Sequence, residues 1–304
     1  MTLGCNKNLS FFRTFALFLA SMAVIVIWQP LLAQYSIDEI KTNGTTKVIA
    51  GPHYKVGGVT RALLGKRYRD EWTATVEIPV LDLKNSGGGL RPHKRSGGFQ
   101  SKSLSFKSAN GGRFMFRSID KDPSKLLPEE LRETVIARAL RDGISTSHPF
   151  GAMVVPTLAS AVGLVHTSPK AVVLPDDPVL GEHREDFAGT LGIIEEFVIN
   201  GPDDTPGFAG LTKVVSIFEF FEIREQSFID NADQKAYLNA RLLDFLISDW
   251  DRHFDQWRWA RFERDGQNYW RPVPLDRDQA FCFFDGPITG FAEERHIIPQ
   301  FEGV

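Results

Sequence analysis

The sequence predicts an α+β fold with a β-rich N-terminal half and a mainly helical C-terminal half. Paired apolar runs around turn-forming residues predict the strands, and an apolar stripe with helical spacing over residues 233–247 predicts a long helix. Of the 304 residues, 42% are hydrophobic and 24% charged, so the chain can bury a core. Its formal net charge of −3 offers no positive field for nucleic acid, and its two cysteines exclude a disulfide scaffold.

The N-terminus has the pattern of a secretory signal peptide over residues 1–33. Two basic residues precede an apolar run at 15–28, which is shorter than the roughly 20 residues that span a bilayer. Cleavage is expected after Ala33. Leu31 is larger than the residue usual at the third position before a cut, so an uncleaved segment that contacts the membrane stays an alternative. We expect a secreted, periplasmic or cell-envelope protein.

Residues 34–95 contain Gly-rich and basic stretches and predict an extended lead-in with one strand. The β-rich N-terminal lobe is expected over 96–200, where Asn110-Gly111-Gly112 separates two alternating runs and predicts a hairpin. Residues 128–143 predict a helix that starts at a proline followed by acids and ends at a glycine. Further predicted elements are a helix at 153–162 and strands at 171–174 and 191–199.

The C-terminal lobe is expected over 201–304. It opens with a connector at 201–210 that is rich in Gly, Pro and Asp, and this connector predicts the lobe boundary. After the helix at 233–247, the runs 257–262 and 269–273 flank a turn signal and predict a second hairpin.

Two acidic loops surround this second hairpin. Asp249, Asp251 and Asp255 stand within seven residues and would repel one another unless cations or water offset them. Asp276 and Asp278 follow the hairpin directly. Magnesium prefers oxygen ligands and uses one or two carboxylates together with substrate phosphates. The loops therefore favour a metal or catalytic site, with solvated loops as the alternative.

The run Asp251-Arg252-His253, followed by Pro274-Leu275-Asp276-Arg277-Asp278, resembles the catalytic and metal loops of atypical kinases. Similar patterns occur in spore-coat CotH-type kinases, HipA-type kinases, secretory-pathway kinases and phosphatidylinositol kinases. The resemblance implies a two-lobed protein-kinase-like fold that binds ATP with Mg²⁺ or Mn²⁺. It also implies further helices after the second loop, so the sequence is expected to be a fragment.

The resemblance assigns roles within the two loops. Asp251 falls at the catalytic aspartate that orients the acceptor hydroxyl, and His253 lies beside it as a loop organiser. Asp276 falls at the metal-binding aspartate, and Asp278 is a second acid as in the CotH type. Gln256 stands where relatives have a metal-binding asparagine, with Asp255 as the alternative ligand.

In the N-terminal half the resemblance implies a nucleotide site. Gly97 and Gly98 resemble a glycine-containing loop whose backbone amides approach phosphates. Glu196 lies at the end of a predicted strand, where the hinge of a kinase contacts adenine.

A cation that pairs with the phosphates is expected in the strand after the glycine loop. Arg117 has the matching position and Lys121 the matching chemistry, and the choice between them stays open. Glu133 on the next predicted helix is the candidate partner of that cation, with Glu130 as its competitor.

These residues predict an exported kinase that transfers the terminal phosphoryl group of ATP to a hydroxyl on a protein, lipid or small molecule. One alternative is a catalytically inactive pseudokinase that serves as a binding module of the cell envelope. Another is a metal-dependent phosphohydrolase that uses the same carboxylates to activate water.

Overall fold

The protein has an α+β fold built on two β-sheets. The computed structural model describes residues 40–96, 100–200 and 207–294. The signal segment predicted over 1–33 lies outside them. None of the helices within these ranges is both long enough and apolar enough to cross a membrane.

The larger sheet has seven strands in the order β1-β2-β6-β7-β5-β4-β3. All neighbours are antiparallel except the parallel pair β2 and β6. The strands are β1 (Thr42–Ile49), β2 (Thr75–Leu81), β3 (Leu90–Ser96), β4 (Ser103–Ser108), β5 (Arg113–Ser118), β6 (Lys170–Val173) and β7 (Leu191–Glu196).

The smaller sheet has four strands in the order β8-β10-β11-β9. They are β8 (Val214–Ser216), β9 (Asp230–Ala232), β10 (Trp257–Arg264) and β11 (Gln267–Pro274). The hairpin of β10 and β11 agrees with the predicted one, and its register pairs Trp257 with Pro274. This pairing places the ends of the two acidic loops side by side.

Eight α-helices lie between and around the described strands. They are α1 (Gly58–Leu64), α2 (Arg69–Thr73), α3 (Val135–Gly143), α4 (Val155–Ala161), α5 (Arg184–Phe187), α6 (Ile217–Gln226), α7 (Gln234–Leu246) and α8 (Pro287–Glu294). The helix α7 is the one predicted from the apolar stripe, and the Asp233 side chain caps it by accepting a hydrogen bond from the Ala236 amide at 2.9 Å.

The two faces of the seven-stranded sheet have different partners. One face carries Phe106 and Phe116, which are fully buried against Phe187 of α5. The other face carries Arg117 and Glu195 and borders the helix α4 and the second acidic loop. Alternation along the strands thus separates an apolar core face from a polar face.

Three predictions about this half are corrected. The stretch 34–95 is not an extended lead-in over its described residues, because it contributes β1, β2 and β3 to the sheet. The helix predicted from residue 128 begins only at Val135, since Thr134 caps it by accepting from the Ala137 amide. The N-terminal lobe is also less separate than expected, because α4 packs on α7 through Val155, Ala159 and Leu243.

Candidate functional site

The two acidic loops lie directly against each other. The Leu275 amide donates a hydrogen bond to the Gln256 carbonyl at 2.9 Å. The Arg252 guanidinium donates to the carbonyls of Leu275 at 2.5 Å and of Asp276 at 3.4 Å. The buried Arg252 side chain therefore fixes the backbone before and at Asp276 to the loop that carries Asp251.

Three of the six described non-glycine residues with positive φ lie in or beside these loops. Ser248, Asp276 and Phe281 are non-glycine residues with φ of +52°, +50° and +64°. Such conformations cost free energy, and they persist where surrounding contacts hold them, often at functional sites. The contacts of Arg252 with the Asp276 carbonyl provide such a constraint.

Asp249 belongs to a buried ion network beneath the loops rather than to the cleft. Its carboxylate accepts from Arg252 at 2.5 Å and from Arg277 at 2.8 Å, and its side chain is fully buried. Arg277 also pairs with Asp244 of α7, which in turn accepts from Arg241 at 3.1 Å. Asp249 thus connects the loops to the helix. Other carboxylates are the candidates for a chemical role.

Three carboxylates share one electrostatic environment in front of this network. Burial, together with the charge of the neighbouring Asp276 carboxylate, raises the pKa of Asp278 to about 7. Burial also raises the pKa of Asp251, with Asp276 adding to the effect and the nearby His253 opposing it. Burial acts to raise the pKa of Asp276, but the positive charges of Arg117 and Lys121 outweigh burial and lower the pKa.

Both candidate phosphate-binding cations, Arg117 and Lys121, lie near these carboxylates. Lys121 Nζ forms an ion pair with Asp278, and its side chain is only 14% exposed. Although burial lowers the pKa of Lys121, the carboxylates of Asp278 and Asp276 raise it above its ordinary value. For Arg117, burial is likewise outweighed by Asp276 and Glu195, so its pKa is raised. The structure brings Arg117 and Lys121 to the same group of carboxylates.

The partner of Arg117 is Glu195 and not the predicted Glu133. Arg117 Nη1 donates to Glu195 Oε1 at 2.5 Å, and Glu195 Oε2 accepts from the Thr167 hydroxyl at 3.0 Å. Glu133 precedes α3, is 91% exposed and lies 3.8 Å from Arg141. The predicted pair is wrong because the helix starts after Glu133, and the competitor Glu130 is also exposed.

Sequence reasoning missed Glu195 as the partner of Arg117. Period-two alternation places it on the same face of β7 as Ile193, and Ile193 pairs with Arg117 on β5. This alternation along β7 is the sequence signal that could have identified Glu195 as the partner. Glu196 pairs with Phe114 in the register and so lies on the opposite face, at the end of β7.

The remaining predicted residues divide into three groups. Gln256 is buried, and its amide nitrogen lies 3.5 Å from Asp251 Oδ2. Asp255 is exposed in a short 3₁₀ turn, which does not support it as a metal ligand within the cleft. Gly97 and Gly98 lie outside the described residues, between β3 and β4.

A cleft of about 930 Å³ of empty space, part of it open to solvent, joins these groups. Arg117, Lys121, Asp276 and Asp278 line its polar end. The other end is apolar and lies between the sheet and α4, with a lining of Ile144, Ala152, Val155, Ala159, Val165, Pro169 and Ile193. Asp251 stands beside the polar end, close enough for its charge to raise the pKa of Asp278.

The polar end of the cleft offers oxygen ligands for a divalent metal ion. The described residues contain no cluster of three or more His, Cys, Asp or Glu side chains that forms a complete metal cage. They do provide the adjacent carboxylates of Asp276 and Asp278, and the buried Gln256 Oε1 has no hydrogen-bond partner. Two carboxylates and an amide oxygen fit a magnesium ion that takes its other ligands from phosphates and water.

Comparisons with known proteins gave no match, whether with protein-family models, with curated proteins or with solved structures.

Proposed function

We propose that this protein is an exported kinase-like phosphotransferase that moves the terminal phosphoryl group of ATP to a hydroxyl acceptor. The observation that carries the proposal is the convergence of two cations and three carboxylates on one cleft, at the junction of two sequence-distant acidic loops. Phosphoryl transfer depends mainly on positioning and on charge stabilisation, and this arrangement provides both.

Each group has a chemical role in this proposal. Asp276 and Asp278, with the amide oxygen of Gln256, would hold the magnesium ion, whose chemistry is to neutralise phosphate charge. Arg117 and Lys121 bind phosphate oxygens through charge-assisted hydrogen bonds. Asp251 orients the acceptor hydroxyl and accepts its proton, and its raised pKa brings the carboxylate nearer to the range in which a general base is effective.

The order of elements also supports a kinase-like arrangement. The β3–β4 hairpin precedes the cation-bearing β5, and α3 and then β7 follow. Every strand of the larger sheet comes from residues 42–196, and every strand of the smaller sheet comes from residues 214–274. We assign these two groups to the two lobes of a kinase-like fold, with the nucleotide between them.

The charges of the cleft favour a metal–nucleotide complex over a free anion. Arg117 and Lys121 face four acidic groups, Glu195, Asp251, Asp276 and Asp278. With all of them ionised, two positive charges against four negative charges leave a formal charge of −2. A triphosphate alone would add to this repulsion, whereas a divalent cation offsets it.

The decisive experiment combines a thermal-shift titration with transfer of radiolabelled phosphate from ATP. We expect ATP with Mg²⁺ to raise the melting temperature and ATP with EDTA to leave it unchanged. Asp251→Asn should keep the thermal shift and lose transfer, and Asp276→Asn should lose both. Asp255→Asn is the matched control, because it removes an exposed acid from the same loop.

The possible results separate the proposal from its rivals. Transfer that survives in Asp251→Asn contradicts the role of Asp251, and the lack of any metal-dependent nucleotide shift contradicts the proposal as a whole. Release of inorganic phosphate from simple esters without ATP would indicate a phosphohydrolase instead.

A pseudokinase is the second candidate because Lys121 is paired with Asp278. If that pair persists in the complex, it withholds a cation from the phosphates and a ligand from the metal. Nucleotide binding without transfer in the unsubstituted protein would favour this candidate.

A further inference from the structure

A row of basic side chains crosses the outer end of the seven-stranded sheet, away from the cleft. Arg91 on β3 stands directly opposite Lys107 on β4, and Lys107 stands directly opposite Arg113 on β5. Residues directly opposite in antiparallel strands share one face, so the three side chains lie side by side at the strand spacing of about 5 Å. All three are exposed.

Two further basic residues join this basic row. Lys94 pairs with Ser105, two residues from Lys107 on the same strand, and therefore lies on the same face. His93 occupies the register irregularity between Pro92 and Lys94. Burial lowers the pKa of His93, and the charges of Lys107, Arg113 and Lys94 lower it further. The positive charges thus meet at one place.

The basic row has no acidic partner within the described residues. None of its five members forms an ion pair there, although like charges directly opposite each other on neighbouring strands destabilise a sheet. The opposite face of the same strands differs, because Arg95 pairs with Asp186 at 2.5 Å and Lys102 donates to the Asp186 carbonyl at 2.9 Å. Among the residues that the structure describes, the repulsion within the row is therefore left without compensation.

We propose that the basic row is a binding site for a soluble anion that carries several phosphate groups in line, such as an oligophosphate chain. Arg91 and Arg113 stand at the two ends, about 10 Å apart over two strand spacings, and each presents a fork that can bind a phosphate through two hydrogen bonds. Lys107 supplies the charge between them. A linear arrangement of cations matches a linear arrangement of phosphates better than it matches a single small anion.

The basic row lies on the same face of the sheet as Arg117, but none of its members lines the cleft of the proposed function. Arg113 lies four residues before Arg117 along β5, which corresponds to about 13 Å of extended strand. Without a divalent cation the cleft carries excess negative charge, so an oligophosphate added in EDTA reports on the basic row and not on the cleft.

The test is calorimetric titration of inorganic tripolyphosphate into the protein in EDTA. We expect binding that weakens steeply with added salt, and a loss of affinity of about tenfold or more in Lys107→Gln/Arg113→Gln. Arg95→Gln/Lys102→Gln removes the same number of charges from the opposite face of the same strands and should bind like the unsubstituted protein. The presence of EDTA keeps this test independent of metal-dependent phosphoryl transfer.

Three further arms can overturn the proposal. Orthophosphate should bind more weakly than tripolyphosphate. Equal affinity would contradict a site that contacts several phosphate groups at once. Anionic phospholipid vesicles or single-stranded DNA that bind more tightly than tripolyphosphate through the same residues would replace the proposed ligand. Unchanged tripolyphosphate affinity in Lys107→Gln/Arg113→Gln would remove the site, provided that circular dichroism shows the variant to be folded.

Discussion

Replacing Arg277 with methionine tests whether the buried ion network holds the two acidic loops in place. Arg277 is 9% exposed and shares one amino group between Asp244 and Asp249, both of which are fully buried. Methionine keeps much of the side-chain volume and removes the charge. Asp244 and Asp249 would then have only Arg241 and Arg252 as cations.

The expected cost follows from the contacts that are lost. Removing one partner of a buried ion pair typically destabilises a protein by about 3–5 kcal/mol, and we expect the lower end of this range because Arg241 and Arg252 still offset the two carboxylates. In a protein of this size, 1 kcal/mol shifts the melting temperature by about 2–4 °C, so Arg277→Met should melt about 10 °C lower. Urea unfolding followed by circular dichroism measures the free energy directly.

Two further variants make this prediction specific. Adding Asp249→Asn to Arg277→Met removes the negative charge of a buried carboxylate that has lost one of its two cations, and it should recover part of the lost stability. Arg61→Gln, which breaks an exposed pair with Asp70, should leave the unfolding midpoint nearly unchanged. A loss below about 1 kcal/mol in Arg277→Met, or a double variant no more stable than the single one, would refute the reasoning.

Further predictions concern packing and pH. Gly192→Ala places a methyl group 2.2 Å from the Phe116 ring and 2.5 Å from the Arg117 carbonyl, and it should cost about 1–3 kcal/mol in urea unfolding. Gly143→Ala, at the end of α3 with open space around the new methyl group, should instead add about 0.5–1 kcal/mol. In metal-free buffer, stability should fall between about pH 4 and pH 7, because native Asp278 with its pKa of about 7 keeps a proton that the unfolded chain loses near pH 4. Asp278→Asn should flatten this fall in pH-dependent melting curves, and an unchanged slope would contradict the assignment.

Much of the local structure follows from the sequence. The hairpin of β4 and β5 was predictable from Asn110-Gly111-Gly112, because glycines permit the turn conformation and alternating runs flank it. The helix α7 was predictable from its apolar stripe and from Asp233 at its start. Both signals are local, so neither depends on the rest of the fold.

The organisation of the N-terminal half could not be predicted in the same way. The strands β1 and β2 join the sheet through long-range pairing, and β2 pairs with β6 across about ninety residues. No local pattern specifies such a partner. The same limit applies to Arg117, because Glu195 is 78 positions away and becomes its partner only through the register of β5 with β7.

The candidate site shows a similar division. The sequence indicated that two acidic loops share a function, and the contacts of Arg252 with both loops explain why they meet. The sequence did not indicate that Arg277, between two acids of the second loop, points away from them into the network with Asp244. The direction of the Arg277 side chain depends on which groups are buried, and burial is a property of the whole fold.

Asp249 and Asp251 show why the cleft acids and the structural acids differ. They stand two residues apart in one loop, yet Asp249 lies between Arg252 and Arg277, whereas Asp251 lies among other carboxylates and has a raised pKa. The fold neutralises the first with its own cations and leaves the second, together with Asp278, in an environment that disfavours its charged form. A divalent cation in the cleft would lower the pKa of both groups and relieve this cost. Metal binding should therefore release protons near neutral pH, which is the electrostatic reason for assigning the cleft, and not the buried network, to phosphate chemistry.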